Sequence, residues 1–80
     1  MEFKFKVSDW VKCGGEYRLD VSAGDFKVKD LTAFSADVYE DGHTDIAEVE
    51  MSIKSKTIQM SLIAEPDIRF SGSIKLKKKA

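Results

Sequence analysis

The 80-residue chain has room for one hydrophobic core, so we expect a single domain over residues 1–80. Its composition, 42% hydrophobic and 34% charged, excludes wholesale disorder, and the net charge of −1 disfavours a protein that mainly holds nucleic acid or an anionic membrane. The lone cysteine, Cys13, excludes an internal disulfide framework. The sequence shows neither a signal peptide nor an apolar membrane span, and we therefore expect a cytoplasmic protein.

The first third of the chain predicts three strands by its alternation of apolar and polar residues. Apolar residues alternate over 3–7 and 17–23, with a turn at Gly14-Gly15 between them, and a second turn leads into 26–28. Residues 8–13 match neither a strand nor a helix pattern.

The segment from Asp30 to Gly42 admits two interpretations. Leu31, Phe34 and Val38 have helical spacing, with Asp30 and Gly42 suited to cap the two ends of a short helix. A hairpin that turns at Asp41-Gly42 competes with this helix and is the interpretation we prefer. It would pair Phe34 with Val49 and Ala36 with Ala47.

The last third of the chain shows the clearest alternation. It predicts strands over 47–53, 58–64 and 68–76, with Pro66-Asp67 as the turn before the third. Ile63 is the one exception, since it is an apolar residue at a position that should face solvent. Met51 and Met60 fall on the inward faces, where we expect them to fill the core.

These elements together predict a β-rich fold, an antiparallel meander of six or seven strands that forms a small sandwich or a partial barrel. The order of the strands stays open. The alternative is an α+β fold with one short helix near residues 31–40 on an antiparallel sheet.

Charge is segregated along the chain. Residues 30–50 contain seven carboxylates and no lysine or arginine, whereas residues 51–80 contain seven lysine and arginine residues against Glu65 and Asp67. This pattern favours a protein partner or a homo-oligomer in which an acidic surface meets a basic one. Trp10 and Tyr39, which lie outside the clearest alternation, are candidate aromatic anchors for such an interface.

Carboxylates also recur around Gly42 in the window 37–48. With Gly42 at the sharp turn, their spacing resembles the twelve-residue calcium loop of EF-hand proteins. The resemblance implies a calcium site whose side-chain ligands are Asp37, Asp41, Asp45 and Glu48. We expect no other cofactor.

Two residues depart from that loop, because Tyr39 stands where an oxygen ligand belongs and Thr44 replaces the customary apolar residue. The alternation after Glu48 also favours a strand over a helix. We therefore expect an acidic calcium site outside the EF-hand family. The alternative is a solvated acidic hairpin, since two carboxylates about 4 Å apart in water cost only about 1 kcal/mol.

Two other classes of function are disfavoured. The single histidine, His43, and Cys13 lie far apart in sequence, and no nucleophile motif surrounds either residue, so we expect no enzyme. The lysines of residues 75–79 could contact phosphate, but no stacking aromatic residues are interleaved with them. Nucleic-acid binding is therefore the weakest of the three binding hypotheses, and edge-strand lysines that prevent aggregation are its alternative.

Overall fold

Two antiparallel sheets form the protein. The computed structural model describes residues 1–79, which contain seven strands and three short 3₁₀ helices. The strands are β1 (Glu2–Phe5), β2 (Val11–Cys13), β3 (Glu16–Ser22), β4 (Phe34–Glu40), β5 (Glu50–Ile53), β6 (Thr57–Ile63) and β7 (Gly72–Lys78). The 3₁₀ helices span Val7–Asp9, Ala23–Phe26 and Leu31–Ala33.

The sheets pack face to face as a sandwich, which confirms the predicted β-rich fold, and they do not close into a barrel. The first sheet has the strand order β1-β7-β4 and the second has the order β2-β3-β6-β5. Consecutive strands therefore cross from one sheet to the other at several points. In the described part of the chain, no helix is long and apolar enough to cross a membrane.

Alternating side chains fill the space between the sheets. In the second sheet Leu19 lies opposite Met60 and Val21 opposite Ile58, while in the first sheet Val38 lies opposite Ile74. All of these side chains are buried, as the period of two requires for a sheet with one covered face. Met60 is fully buried and Met51 packs against the core, so their predicted core role is confirmed.

Residues 31–40 do not form the helix of the alternative fold. Asp30 does cap a helical turn, since its carboxylate accepts a hydrogen bond from the Thr32 amide at 2.8 Å, but the turn ends at Ala33. The chain then extends as β4, whose alternate residues Ala36 and Val38 face the core. Burial on the sheet therefore outweighs the helical spacing.

The predicted hairpin partner of β4 is also wrong. The turn at Gly42 is present, with φ at +83°, but β4 pairs along its whole length with β7. Only Tyr39 and Ile46 form a bridge across the predicted hairpin, because β5 pairs with β6 instead.

Two further predictions in the first third of the chain need correction. Phe26 ends a 3₁₀ helix rather than starting a strand, because Ser22 and Asp25 form a reciprocal capping box and Lys27 takes a left-handed φ of 58°. The unassigned residues 8–13 contain β2, and Trp10 before it is buried. Trp10 is therefore a core residue and not an exposed anchor.

Candidate functional site

The four predicted calcium ligands are divided between a strand and the loop that follows it. Asp37 lies on the outer face of the first sheet, directly opposite Lys75 in the β4–β7 register. Asp41 lies in the turn after β4, where its carboxylate accepts a hydrogen bond from the Ser71 hydroxyl at 2.9 Å. Asp45 and Glu48 are exposed in the loop that follows.

These carboxylates are not collected around a common point. Within residues 1–79 no group of three or more His, Cys, Asp or Glu side chains is placed so that it could hold a metal ion. Calcium binding stays a prediction, and the arrangement of the carboxylates adds no support to it.

Strand pairing neutralises part of the charge segregation. Lys75 on the central strand β7 lies between Asp37 on β4 and Glu2 on β1, with its ammonium nitrogen 3.9 Å from a Glu2 carboxylate oxygen. The same ammonium lies 5.0 Å from the centre of the Tyr39 ring. The outer face of the first sheet therefore balances its own charges, and the surplus charge lies at the ends of the sandwich.

One end of the sandwich is built from four loops. We define the acidic end as residues 6–10, 14–15, 41–49 and 64–71 together with the strand residues that they join. Hydrogen bonds tie these loops together, from the Asp41 amide to the Ser71 carbonyl oxygen at 2.9 Å and from the Ala64 amide to the Gly15 carbonyl oxygen at 3.0 Å.

Carboxylates dominate these loops, in which the only lysine or arginine residues are Lys6 and Arg69. Arg69 is already engaged, because its guanidinium lies 2.8 Å from an Asp67 carboxylate oxygen. Its hydrogen bonds hold the pKa of Asp67 below the usual range, and they raise the pKa of Arg69. The remaining loop carboxylates are Asp9, Asp41, Asp45, Glu48 and Glu65.

Exposed aliphatic side chains gather at the same end. Apart from Met1, every exposed large hydrophobic residue within residues 1–79 belongs to the acidic end: Val7, Val11, Ile46, Ile63 and Ile68. Ile63, the last residue of β6, is the most exposed of them at 67%. Single aliphatic side chains scattered over a protein surface are common. Here the exposed aliphatic side chains are confined to one end of the sandwich, which indicates a contact surface.

A groove of about 390 Å³ joins the aliphatic and acidic features. We call it the acidic groove. Its apolar wall includes Val49, Ile63 and Ile68. The carboxylates that border it are those of Glu16, Glu48 and Glu50. The site therefore combines apolar surface for contact with negative charge for selecting a partner.

An aromatic cluster beneath these loops holds the acidic end in shape. The rings of Phe5, Trp10 and Phe70 pack with centroids 5.6–5.8 Å apart, and the Trp10 indole nitrogen donates a hydrogen bond to the Phe70 carbonyl oxygen at 2.9 Å. The Arg69 guanidinium lies 4.6 Å from the centre of the Tyr17 ring. Loops anchored in this way lose little conformational entropy on binding.

The opposite end of the sandwich is basic. We define the basic end as residues 23–33, 54–56 and 77–79 with the adjoining strand residues. These segments meet through hydrogen bonds from the Leu31 amide to the Ser55 carbonyl oxygen at 2.8 Å and from the Lys79 amide to the Ala33 carbonyl oxygen at 3.1 Å. They carry Lys27, Lys29, Lys54, Lys56, Lys77, Lys78 and Lys79 against Asp25 and Asp30.

Of the residues that line the acidic groove, the sequence singled out Glu48 as a site residue, but it did so as a calcium ligand. The signal for Ile63 was present, because this residue interrupts the alternation of its strand. Ile68 begins the strand predicted over 68–76, but β7 starts only at Gly72 and Ile68 is 48% exposed in the loop before it. Val11 lies in the segment without an assignment.

The two residues considered for catalysis are both exposed and lie on separate elements. His43 follows the turn after β4, with its Nε2 atom 3.8 Å from a Glu40 carboxylate oxygen. Cys13 ends β2 and is exposed.

Comparison with known proteins does not assign the chain to a family: no family model, curated protein or solved structure matches it.

Proposed function

We propose that the chain is a protein-binding module whose acidic end docks a basic polypeptide segment. The observation that carries the proposal is the coincidence of exposed aliphatic side chains and surplus carboxylates at one end of the sandwich, joined in the acidic groove. Lysine and arginine side chains suit both features, since their methylene stems cover apolar surface while their charged heads stay in water.

The exposed aliphatic side chains and the carboxylates would contribute differently to the free energy of binding. Burial of an exposed isoleucine contributes up to about 1.5–3 kcal/mol, so Ile63 and Ile68 would supply most of the affinity. Exposed ion pairs contribute only about 0–1 kcal/mol each, so Glu48 and Glu50 would act mainly on the association rate and on the choice of partner. Binding should therefore weaken, but not vanish, as the salt concentration rises.

Neither of the other two binding hypotheses gains a specific observation. The calcium hypothesis lacks a converging set of carboxylates. For nucleic acid, every aromatic side chain within residues 1–79 is buried or half-buried, so none stands free beside the lysines of the basic end as a stacking platform.

A short fluorescent peptide of alternating lysine and leucine tests the proposal by anisotropy titration, with a glutamate and leucine peptide as the control. We expect the lysine peptide alone to bind. Ile63→Ser should weaken its binding about tenfold, which corresponds to about 1.4 kcal/mol. Ser35→Ala, a change at an exposed residue of β4 far from the acidic end, should leave the affinity unchanged. Equal binding of both peptides, or equal affinity of both variants, would overturn the proposal.

A further inference from the structure

We infer that the partner docked at the acidic end is the basic end of a second copy of this chain, so that copies associate head to tail. This inference rests on the proposed function, and it adds the identity of the partner. It starts from the charge of the basic end, where seven lysines stand against two aspartates.

Within residues 1–79, none of the lysines of the basic end takes part in an ion pair. Within the described residues, the ion pairs of the protein involve Arg18, His43, Arg69 and Lys75, and none of them belongs to the basic end. The two aspartates of this end are already occupied as helix caps. Asp25 accepts hydrogen bonds from Ser22, and Asp30 accepts hydrogen bonds from the Thr32 amide and hydroxyl.

The acidic and basic ends cannot neutralise each other inside one molecule. Strand β4 begins at the basic end with Phe34 and reaches the acidic end at Glu40, a length of seven residues. At about 3.3 Å per residue the two ends are separated by roughly 20 Å, which is twice the Debye length of about 10 Å at 0.1 M salt. Their surplus charges therefore attract other molecules.

Each copy presents one surface of each kind. A contact between unlike surfaces leaves a free acidic end on one copy and a free basic end on the other, so it either continues as an open chain or closes into a ring. Lysine stems from residues 77–79 of one copy would lie over Ile63 and Ile68 of the next, with their ammonium groups beside Glu48 and Glu50. Charge complementarity is what selects a second copy over an unrelated surface.

Sedimentation velocity across salt concentrations provides the first test. At about 20 mM salt the weight-average mass should rise with protein concentration, and at about 500 mM salt the dissociation constant should be at least tenfold higher because the charges are screened. A protein that remains monomeric at low salt and high concentration overturns the inference.

Two neutralised variants provide the second test. Glu48→Gln with Glu50→Gln disables the acidic end, and Lys77→Gln with Lys78→Gln disables the basic end. Each double variant alone should associate about tenfold more weakly than the unmodified protein at low salt. An equimolar mixture should form mainly heterodimers, because one intact pair of ends remains. A control with Lys4→Gln and Asp20→Asn, on strands β1 and β3 between the two ends, should associate like the unmodified protein.

The outcomes separate this inference from the proposed function. A mixture that stays monomeric overturns the head-to-tail contact. If the protein binds the lysine and leucine peptide but does not self-associate, the partner identity is wrong and the proposed function stands; if it does neither, both are wrong. Assembly that appears only after addition of a DNA oligonucleotide overturns the inference and assigns the basic end to nucleic acid.

Discussion

Gly72 packs so closely against Tyr39 that a β-carbon on residue 72 would overlap the Tyr39 carbonyl oxygen. Gly72 begins the central strand of the first sheet, where it lies opposite Phe5 on one side and Glu40 on the other. The backbones of β7 and β4 approach closely at this position, because only a residue without a side chain fits there.

Gly72→Ala should therefore destabilise the protein. The added methyl group would push β4 and β7 apart, and we expect the free energy of unfolding to fall by about 1–3 kcal/mol in a urea titration. Gly15→Ala is the matched control, since a β-carbon at residue 15 has no neighbour within 4 Å. Equal stability of the two variants would show that the first sheet relaxes without cost.

Trp10 should be the main anchor of the acidic end. Trp10→Phe removes the hydrogen bond to the Phe70 carbonyl oxygen and leaves a small cavity between Phe5 and Phe70. We expect a loss of about 1–3 kcal/mol in the free energy of unfolding. Amide chemical shifts of residues 64–71 should change more than those of the strands. Val11→Ala, at a side chain that is 61% exposed, should change stability by less than about 0.5 kcal/mol.

Calcium should leave the thermal midpoint unchanged at millimolar concentration, because the carboxylates of Asp37, Asp41, Asp45 and Glu48 do not converge. A specific site saturated at about 100 times its dissociation constant would add about 2.7 kcal/mol, which raises the midpoint by roughly 10–20 °C in a domain of this size. Scanning calorimetry with calcium and with a chelator distinguishes the two results. A rise of that size that Asp41→Asn abolishes would establish the calcium site after all.

Asp67 should contribute to the fall in the free energy of unfolding at acidic pH. Arg69 lowers the pKa of Asp67 in the folded state, so the unfolded chain takes up the proton at a higher pH than the folded one. The stabilisation is complete above the unfolded pKa of about 3.9 and is lost as the pH falls through the lower folded value. Asp67→Asn should therefore flatten the curve below about pH 5.

Urea midpoints measured between about pH 5 and pH 2 check this expectation, with Glu65→Gln as the control at a neighbouring carboxylate outside the ion pair. The difference between wild type and Asp67→Asn should shrink in high salt, because both partners of the pair are partly exposed. If stability falls with pH in parallel for Asp67→Asn and for the wild type at low salt, the contact between Asp67 and Arg69 does not contribute to the loss of stability in acid.

The alternation of apolar and polar residues was sufficient to predict strands that have one buried face and one solvent-exposed face. The strands over 58–64 and 17–23 differ from β6 and β3 by one residue at each end. The helical spacing of Leu31, Phe34 and Val38 was misleading. Leu31 and Val38 are both buried, but Leu31 belongs to a 3₁₀ helix and Val38 to strand β4. Short segments carry too few residues for periodicity to separate these cases.

The sequence by itself determined that this chain forms a two-faced antiparallel fold with one core, and it located Met60 and Ile58 within that core. It also determined that charge is segregated along the chain. Only the tertiary structure decided which strands pair, and hence that Lys75 is balanced by Asp37 and Glu2 while surplus charge of opposite sign remains at the two ends. The physical reason is that pairing between distant strands depends on how whole faces pack together, and no local pattern of residues specifies that packing.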